Sequence, residues 1–252
     1  MKAIPLKPIR TESLKDVFVS RFEELILSGQ ISIGEKLPPE RELALKLGVS
    51  RPVVHEGIID LAAKGLVTLK PRVGTVVNDF RKQGSLALLS SLTKYHEGKI
   101  EPKFLDSLLD MRRLFELETA RLAAKNRTKE QLSDLKEIIH QESVCDHKDI
   151  KAVVELDFCF HHLISIATGN LVYPLLINSF KQVYTNLTGQ FFLEDAVIPF
   201  VFGLHKSLTE AIEKGDEKKA GLIMGQLLDH GEEYLNRFIK RTTTSAKGSG
   251  RR

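Results

Sequence analysis

The sequence predicts a mainly α-helical protein of two domains, a small N-terminal domain of three helices and a β-hairpin followed by an all-α antiparallel helical bundle. Apolar residues recur at intervals of three and four along most of the 252 residues, which is the spacing of one helix face. Two short runs rich in β-branched residues interrupt this pattern between residues 66 and 77. A stretch with Gly84, Gly98 and Pro102 then separates the two parts.

The first domain begins with three predicted helices. Residues 11–28 carry one apolar stripe, and residues 40–47 form a shorter helix after a break rich in glycine and proline. The third helix begins after Ser50, whose hydroxyl is suited to cap its first turn. Pro52 follows at a position where its missing N–H costs nothing, and Gly65 is placed to end the helix.

The runs LVTLK and VGTVV flank Pro71 and Arg72 and predict a β-hairpin. Three helices followed by a hairpin are the pattern of a winged helix-turn-helix domain, which we assign to residues 1–78. Such domains place the N-terminal residues of the last helix against the edges of DNA bases. The preceding helix and the hairpin, called the wing, hold the phosphates.

The second domain, residues 102–240, is predicted to contain helices only, and an antiparallel bundle is their simplest arrangement. Residues 79–101 are predicted to be a hinge. The basic tail, residues 241–252, is predicted to be disordered because it has no large apolar side chain to bury. The predicted helices of the bundle are 104–125, 129–145, 149–168, 171–192, 197–214 and 216–240.

Charge and composition exclude several classes of protein. Net charges of +2 in residues 1–80, −3 in 81–239 and +5 in 240–252 give the +4 of the chain, so DNA contact must be local. Two cysteines cannot form a disulfide framework, and no apolar run has the roughly 20 residues that span a bilayer. The N-terminus lacks the apolar core of a signal peptide. We therefore expect a cytoplasmic protein with no membrane partner.

The segment from Gly29 to Val77 contains the pattern G…G.KLP.ERELA..LGVSR..V, followed by L…GL and GT.V. These features, all in register, closely resemble the DNA-binding domain of GntR-type transcription regulators. The resemblance implies that Arg41, in ERELA, and Arg51, after VS, contact DNA. It also implies a homodimer on a near-palindromic double-stranded operator, because two recognition helices need two half-sites.

Arg51 has the forked guanidinium that fits the O6 and N7 atoms of guanine, a geometry that lysine cannot match. His55 stands where many relatives have arginine, and Arg72 is shifted by one residue because the wing reads PRVG rather than PGRG. For each of these residues, an ordinary solvated side chain is the alternative. The predicted DNA-binding residues are Arg41, Ser50, Arg51, Pro52, His55 and Arg72.

The helical half resembles the effector domain, called FCD, of the FadR-like branch of the same family, in the segments MRRLFELETARLAA, DFCFHHLISIATGN and LHKSLTEAIEKGD. This resemblance implies a divalent metal held by one aspartate and three histidines, beside a small carboxylate. Asp157, His161 and His205 match the pattern, but Leu227 stands where the last histidine is expected. His230 lies three residues later, rotated by about 60° on a helix, and is the candidate replacement.

The mixed oxygen and nitrogen ligands suit Zn²⁺, Ni²⁺, Mn²⁺ or Fe²⁺. The alternative is a polar pocket without metal, in which the histidines hydrogen-bond to one another and to the aspartate. Sequence reasoning leaves both open.

Arginine placement narrows the search for the effector site. Between Arg127 and Arg237 the sequence has no arginine, although a carboxylate ligand prefers a forked partner or a cation. Within the bundle the candidates are therefore Arg112, Arg113 or the metal itself. Arg112 matches the family's arginine on the first long helix of the domain, and Glu116 lies one turn further on. We predict that these two residues bind a small carboxylate or sugar acid. The alternative is a surface ion pair at i,i+4.

These observations predict a ligand-responsive transcription regulator, more often a repressor in this family, and not an enzyme. Two alternatives remain at this point. One is an architectural DNA-binding protein with a ligand-free bundle. The other is a helical metalloenzyme with Glu116 as general acid or base, which leaves the DNA-binding half unexplained.

Overall fold

The computed structural model describes residues 12–94, 102–194 and 196–248. The chain divides into two compact units, with the division at residues 99 and 100. The structure confirms the mainly helical class, with one small two-stranded antiparallel sheet in the described residues. No helix among these residues is long and apolar enough to cross a membrane.

The N-terminal unit contains the three expected helices and the hairpin. Ser13 caps the first helix by accepting a hydrogen bond from the backbone N–H of Asp16, and Gly48 ends the second in the left-handed conformation. In the hairpin Val67 pairs with Val77, so both side chains face the core. The elements are α1 (Leu14–Leu27), α2 (Glu40–Leu47), α3 (Arg51–Ala63), β1 (Val67–Lys70) and β2 (Gly74–Val77).

The segment predicted as a hinge is folded over its described part. Residues 79–94 contain α4 (Phe80–Gln83), a 3₁₀ turn (Leu86–Leu88) and α5 (Leu89–Lys94). Leu88 is buried in the core of the N-terminal unit. The prediction was wrong for these residues because their apolar side chains have a core to enter; residues 95–101 lie outside the described part.

Gly65 shows how closely this segment packs against the end of α3. Its φ is +77°, and a Cβ atom there would lie 1.9 Å from the carbonyl oxygen of Gln83. Both the backbone conformation and the close approach therefore require glycine.

The second unit is a bundle of seven helices in its described residues. A capping box between Thr128 and Gln131 starts α7, and Gly215 ends α11 in the left-handed conformation. The helices are α6 (Pro102–Asn126), α7 (Lys129–Val144), α8 (Ile150–Ala167), α9 (Tyr173–Ser179), α10 (Lys181–Phe191), α11 (Val197–Lys214) and α12 (Glu217–Gly248).

Two boundaries differ from the sequence prediction. The helix predicted over 171–192 is two helices that meet at Phe180, whose ψ of −5° interrupts the helical backbone. The last helix continues to Gly248 instead of giving way to a disordered tail at residue 241. Extending an existing helix avoids the cost of nucleation, and 241–248 contain no proline. Residues 249–252 lie outside the described part.

α8 lies at the centre of the bundle, where it packs against α6, α7, α9 and α10, while α12 packs along α6 and α11. The core is apolar, with fully buried side chains such as Phe160, Leu208 and Met224. Five carboxylate and imidazole side chains among the described residues of this unit are nevertheless buried, which is costly unless they have partners. They are Glu116, Glu142, Asp157, His161 and His205.

Candidate functional site

The start of α3 presents two of the predicted DNA-reading side chains to solvent, and one glutamate holds both. The Nε atom of Arg51 donates to Glu40 Oε2 over 3.2 Å, and His55 Nδ1 lies 2.8 Å from Glu40 Oε1. The hydrogen bond with His55 contributes most to lowering the pKa of the Glu40 carboxyl, with a further contribution from Arg51. Sequence analysis missed Glu40, because its contact with α3 depends on how α2 packs.

The remaining predicted residues of this surface are also exposed. Arg41 lies in the first turn of α2, and Pro52 lies in the first turn of α3. Ser50 is at the N-cap position, but its hydroxyl makes no capping hydrogen bond, so that part of the prediction was wrong. The physical reason is that Pro52 has no N–H, which removes one of the two usual targets of a capping oxygen.

Arg72 lies in the hairpin turn with a φ of 62°. Of the described residues other than glycine, it alone has a positive φ. It stands where the PGRG wing pattern has its first glycine, so an exposed arginine occupies a conformation that favours glycine. The strain costs about 1–2 kcal/mol.

In the bundle, the structure brings three predicted metal ligands together. Asp157 and His161 lie one turn apart on α8, and His205 approaches from α11. Asp157 Oδ1 is 4.0 Å from His161 Nε2 and 3.6 Å from His205 Nε2. One ligand atom of each residue lies within 4.8 Å of the others, and all three side chains are buried.

Each of the two histidines contacts a glutamate through its Nδ1 atom, on the side of the ring away from Asp157. His205 Nδ1 hydrogen-bonds to Glu142 Oε1 over 2.6 Å, and His161 Nδ1 contacts Glu116 Oε2. This arrangement turns both Nε2 atoms toward Asp157, as carboxylates behind metal-binding histidines do. Sequence analysis missed Glu142, which lies on a neighbouring helix and belongs to none of the matched motifs.

Asp157 is itself oriented by hydrogen bonds. Tyr184 donates its hydroxyl hydrogen to Asp157 Oδ2 over 2.7 Å, which leaves Oδ1 facing the histidines. Arg112 donates from Nη2 to the Tyr184 hydroxyl over 3.1 Å, and its guanidinium lies 4.5 Å from the centre of the Tyr184 ring. Arg112 also pairs with Glu116, so the network connects α6, α8 and α10.

These contacts shift the pKa values of the buried groups. Burial by itself raises the pKa of Glu116, but the charges of Arg112 and His161 oppose it and hold that pKa at about 2. Burial raises the pKa of Glu142 and raises that of Tyr184 well above 10. Arg112 and Glu116 thus form a charged pair that is largely buried, with 23% and 4% of their side chains exposed, rather than the surface pair that was the alternative.

The fourth predicted ligand is not part of this cluster. Asp157, His161 and His205 converge among the described residues, whereas His230 packs its ring against Phe200, with centroids 4.5 Å apart. The prediction for His230 was wrong because three residues on a helix leave its side chain rotated away from the face of Leu227. Leu227 instead lines the cavity beside the cluster.

A small cavity of about 20 Å³ adjoins the cluster, enough for roughly one water molecule. Arg112, Asp157 and His161 line one part of its wall. The rest of the wall comes from α10, α11 and α12 and consists mainly of apolar side chains and one glycine.

The residues present fit a divalent metal ion. Two imidazole nitrogens and one carboxylate oxygen face a common point, and His205 Nε2 is buried with no hydrogen-bond partner in the described structure. A nitrogen whose opposite ring atom is held by a carboxylate has its lone pair free for a metal.

Comparison with known proteins assigns each unit to a family. Residues 15–77 match the family described as bacterial regulatory proteins, gntR family, and residues 107–230 match the FCD domain. The HTH-type transcriptional regulator Mce2R of Mycobacterium tuberculosis is 31% identical over 179 residues, which are 71% of this chain and 73% of that protein. The chain belongs to the GntR family. A fatty acid metabolism regulator protein of Escherichia fergusonii is 29% identical over 195 residues, 76% of this chain and 78% of that protein.

Two solved structures share the fold of this chain. Lar, which controls expression of the Listeria monocytogenes agr system, aligns with a TM-score of 0.60 at 16% identity, over 91% of this chain and 99% of that one. E. coli McbR/YncC aligns with a TM-score of 0.50 at 16% identity, over 90% and 99%. The sequence prediction of a GntR-type transcription regulator with an FCD domain is confirmed, and its domains and relatives are those of DNA-binding regulators rather than enzymes.

Proposed function

We propose that this GntR regulator is a cytoplasmic homodimeric repressor that leaves its operator when a small carboxylate binds in the FCD domain beside a divalent metal ion. The observation that carries the proposal is the arrangement of His161 and His205. Both are buried, both turn Nε2 toward Asp157, and each has a glutamate behind it.

Asp157, His161 and His205 would hold the ion. Three protein ligands leave coordination positions open, as in metal sites that bind an exogenous ligand. Zn²⁺, Ni²⁺, Mn²⁺ and Fe²⁺ all accept this mixture of imidazole and carboxylate. When bound, the ion supplies a positive charge and an open position for a carboxylate oxygen.

Arg112 is the second proposed contact for the effector. Its guanidinium lines the cavity next to Asp157, and its charge is fixed by Glu116. A carboxylate in the cavity would accept hydrogen bonds from guanidinium N–H groups at the wall. In this arrangement Glu116 positions Arg112 and His161 rather than contacting the effector.

On the DNA side, Arg51 and His55 are proposed to contact base edges, since they project from the first turns of the recognition helix. Arg41, Ser50 and Pro52 lie beside them, and Arg72 would reach the minor groove or a phosphate from the wing. Two copies of this surface in a dimer would read the two half-sites of a near-palindromic operator. Binding of the effector and binding of the operator would then be linked by one coupling free energy, so that each weakens the other. Allosteric control requires such a link.

The deciding experiment measures metal content and DNA binding on the same preparation. The full chain, purified without an affinity tag, is analysed for metals, and its operator is selected from random duplexes. We expect about one equivalent of a transition metal and a lower melting temperature after chelation. Asp157→Asn should lose the metal but still bind the operator.

His140→Gln is the matched control, because His140 is an exposed histidine of the same unit. It should keep both the metal and the operator. Less than about a tenth of an equivalent, with no stabilisation by added Zn²⁺ or Ni²⁺, would favour the polar pocket without metal.

A further inference from the structure

We infer that Glu40 determines how well the regulator separates its operator from other DNA, because it withholds Arg51 and His55 from phosphates until matching base edges replace it. The inference rests on the proposed function, in which Arg51 and His55 contact bases. Glu40 is a positioning residue in this account, since it acts through the two side chains that it contacts.

Glu40 binds both of these side chains with one carboxylate. Its Oε2 accepts a hydrogen bond from Arg51 Nε over 3.2 Å, and its Oε1 lies 2.8 Å from His55 Nδ1. These contacts, first the hydrogen bond with His55, lower the pKa of Glu40, so the carboxylate is charged at neutral pH. A charged carboxylate only accepts hydrogen bonds, and Nδ1 of His55 is therefore the donor.

The exposed fractions of the three side chains show which of them DNA can reach. The side chain of Glu40 is 21% exposed, whereas those of Arg51 and His55 are 72% and 52% exposed. Arg51 and His55 thus face solvent, and the acid is the more covered partner. Within the described residues, Glu40 is their one side-chain hydrogen-bond partner. A DNA group that takes over Arg51 or His55 therefore displaces Glu40 alone.

The pair of Glu40 and Arg51 carries no net charge. Binding to DNA of any sequence depends on lysine and arginine charges that neutralise phosphates. While Arg51 is paired with Glu40, its charge is cancelled for this purpose, and the carboxylate beside it repels phosphates. Glu40 therefore weakens binding to DNA in general.

The operator provides a replacement for Glu40 that other DNA lacks. The first turn of the recognition helix lies in the major groove, where the O6 and N7 atoms of a guanine match the fork of Arg51. An exposed ion pair costs little to break, so the contact with guanine outweighs the loss of Glu40. At a mismatched base pair this replacement is missing, and Arg51 stays with the acid.

Loss of Glu40 should remove this selection. Arg51 would then be free to turn from the groove to a phosphate at its edge, which adds one charge contact to any duplex. At the operator Arg51 already has its guanine and gains no such contact. Removal of the carboxylate charge still favours operator binding, but the two long side chains, no longer held in place, lose more conformational entropy when they bind. Random DNA should therefore gain more affinity than the operator.

The test uses the full chain, the operator selected by the wild type and a random-sequence duplex of the same length. Glu40→Gln should bind the random duplex roughly fivefold more tightly at about 0.15 M salt, and the slope of log affinity against log salt should become steeper by about 0.9, the value of one phosphate contact. The ratio of operator affinity to random-duplex affinity should fall at least about threefold. Base preference should relax at the operator position that Arg51→Ala also relaxes.

Two further variants separate this effect from a general change in charge. Asp60→Asn removes the same charge near the other end of α3, where Asp60 pairs with Lys15 of α1. Asp60 lies roughly 13 Å from Arg51 along the helix axis, beyond the screening length of about 8 Å, so both affinities should match those of the wild type. In an Arg51→Ala background, Glu40→Gln should lose most of its effect on random DNA.

An unchanged affinity ratio and salt slope in Glu40→Gln would overturn the inference, and so would the same change in Asp60→Asn. A full gain on random DNA in the Arg51→Ala background would also overturn it, because Arg51 would not be the side chain that Glu40 withholds. Arg51→Ala alone tests the proposed function separately: base reading by Arg51 is wrong if that variant binds the operator like the wild type.

Discussion

Two glutamate–histidine pairs of similar geometry lie in opposite environments in this protein. At the DNA-reading surface, Glu40 and His55 are 2.8 Å apart, with 21% and 52% of their side chains exposed. In the FCD domain, Glu142 and His205 are 2.6 Å apart, with 2% and 0% exposed. Water and salt screen the first pair, so it contributes little and a DNA partner can replace the glutamate. The second pair has no such substitute, and separating it would leave buried polar groups without partners.

The comparison indicates two uses of the same chemistry. The exposed pair keeps Arg51 and His55 near each other without fixing them, which suits residues that must change partners on binding DNA. The buried pair fixes the direction of the His205 imidazole, which suits a side chain that must direct its Nε2 atom at a metal ion. The following predictions test this difference, from the largest expected effect to the smallest.

Arg112→Ala removes a largely buried, charge-assisted contact of the proposed effector site. Effector affinity should fall by about 2–5 kcal/mol, while operator affinity in the absence of effector should stay at the wild-type value. Arg112→Lys should restore little of the lost effector affinity, because an ammonium group cannot reproduce the forked hydrogen bonding of a guanidinium group. The measurement is the effector concentration that releases the operator.

Arg113→Ala is the matched control for this prediction, because Arg113 is the neighbouring arginine and pairs at the surface with Asp229. It should respond like the wild type. If Arg112→Ala is released from the operator at the wild-type effector concentration, Arg112 does not bind the effector.

Glu142→Gln keeps the size of the side chain but removes the charge behind His205. Metal affinity should fall about 10- to 100-fold, because the carboxylate no longer orients the ring and raises its basicity. Competition with a chelator of known affinity measures this loss. Glu137→Gln, an exposed change on the same helix, should leave metal affinity unchanged; equal affinities for both variants would contradict the role of Glu142.

Arg51→Ala should weaken operator binding by about 1–3 kcal/mol and relax the preference at one base pair. Binding to a panel of operators with single base changes measures both effects. Arg121→Ala removes an exposed arginine from the FCD domain and serves as the charge control. Undiminished operator affinity of Arg51→Ala would show that this residue does not read a base.

Arg72→Gly should change stability and DNA binding in opposite directions. Relief of the positive φ should raise the free energy of unfolding by about 1 kcal/mol. Loss of the wing charge should lower the slope of log affinity against log salt by roughly one unit. Denaturant unfolding and a salt titration measure the two; a destabilised variant would show that the wing conformation is not strained at this residue.

Breaking the exposed pair of Glu40 and His55 should cause the smallest change in stability. The pKa of Glu40 is lowered in the folded protein, first by the hydrogen bond with His55. Its contribution to stability is therefore fully present above the ordinary glutamate pKa of 4.5 and is lost as the pH falls through the lower folded value. Glu40→Gln should lower stability at pH 7 by less than about 1 kcal/mol, with the difference vanishing in acid. A difference that grows toward low pH would contradict this account.

The sequence by itself determined the elements of both units and part of each site. Periodicity located most helices, because a buried face repeats every 3.6 residues whatever it packs against. Spacing placed Asp157 and His161 on one helix face, and the DNA-binding motif indicated Arg51. The residues around these positions are local in sequence, which is why local patterns reveal them.

Only the tertiary structure decided which distant residues complete the sites. Glu40 on α2 contacts Arg51 and His55 on α3. Glu142 on α7 contacts His205 on α11, 63 positions later in the chain. Such pairings depend on the rotation and depth of one helix against another, and a sequence period carries neither quantity. For the same reason the sequence could not decide between Leu227 and His230. Packing of α12 turned the leucine toward the cavity and left the histidine among aromatic rings.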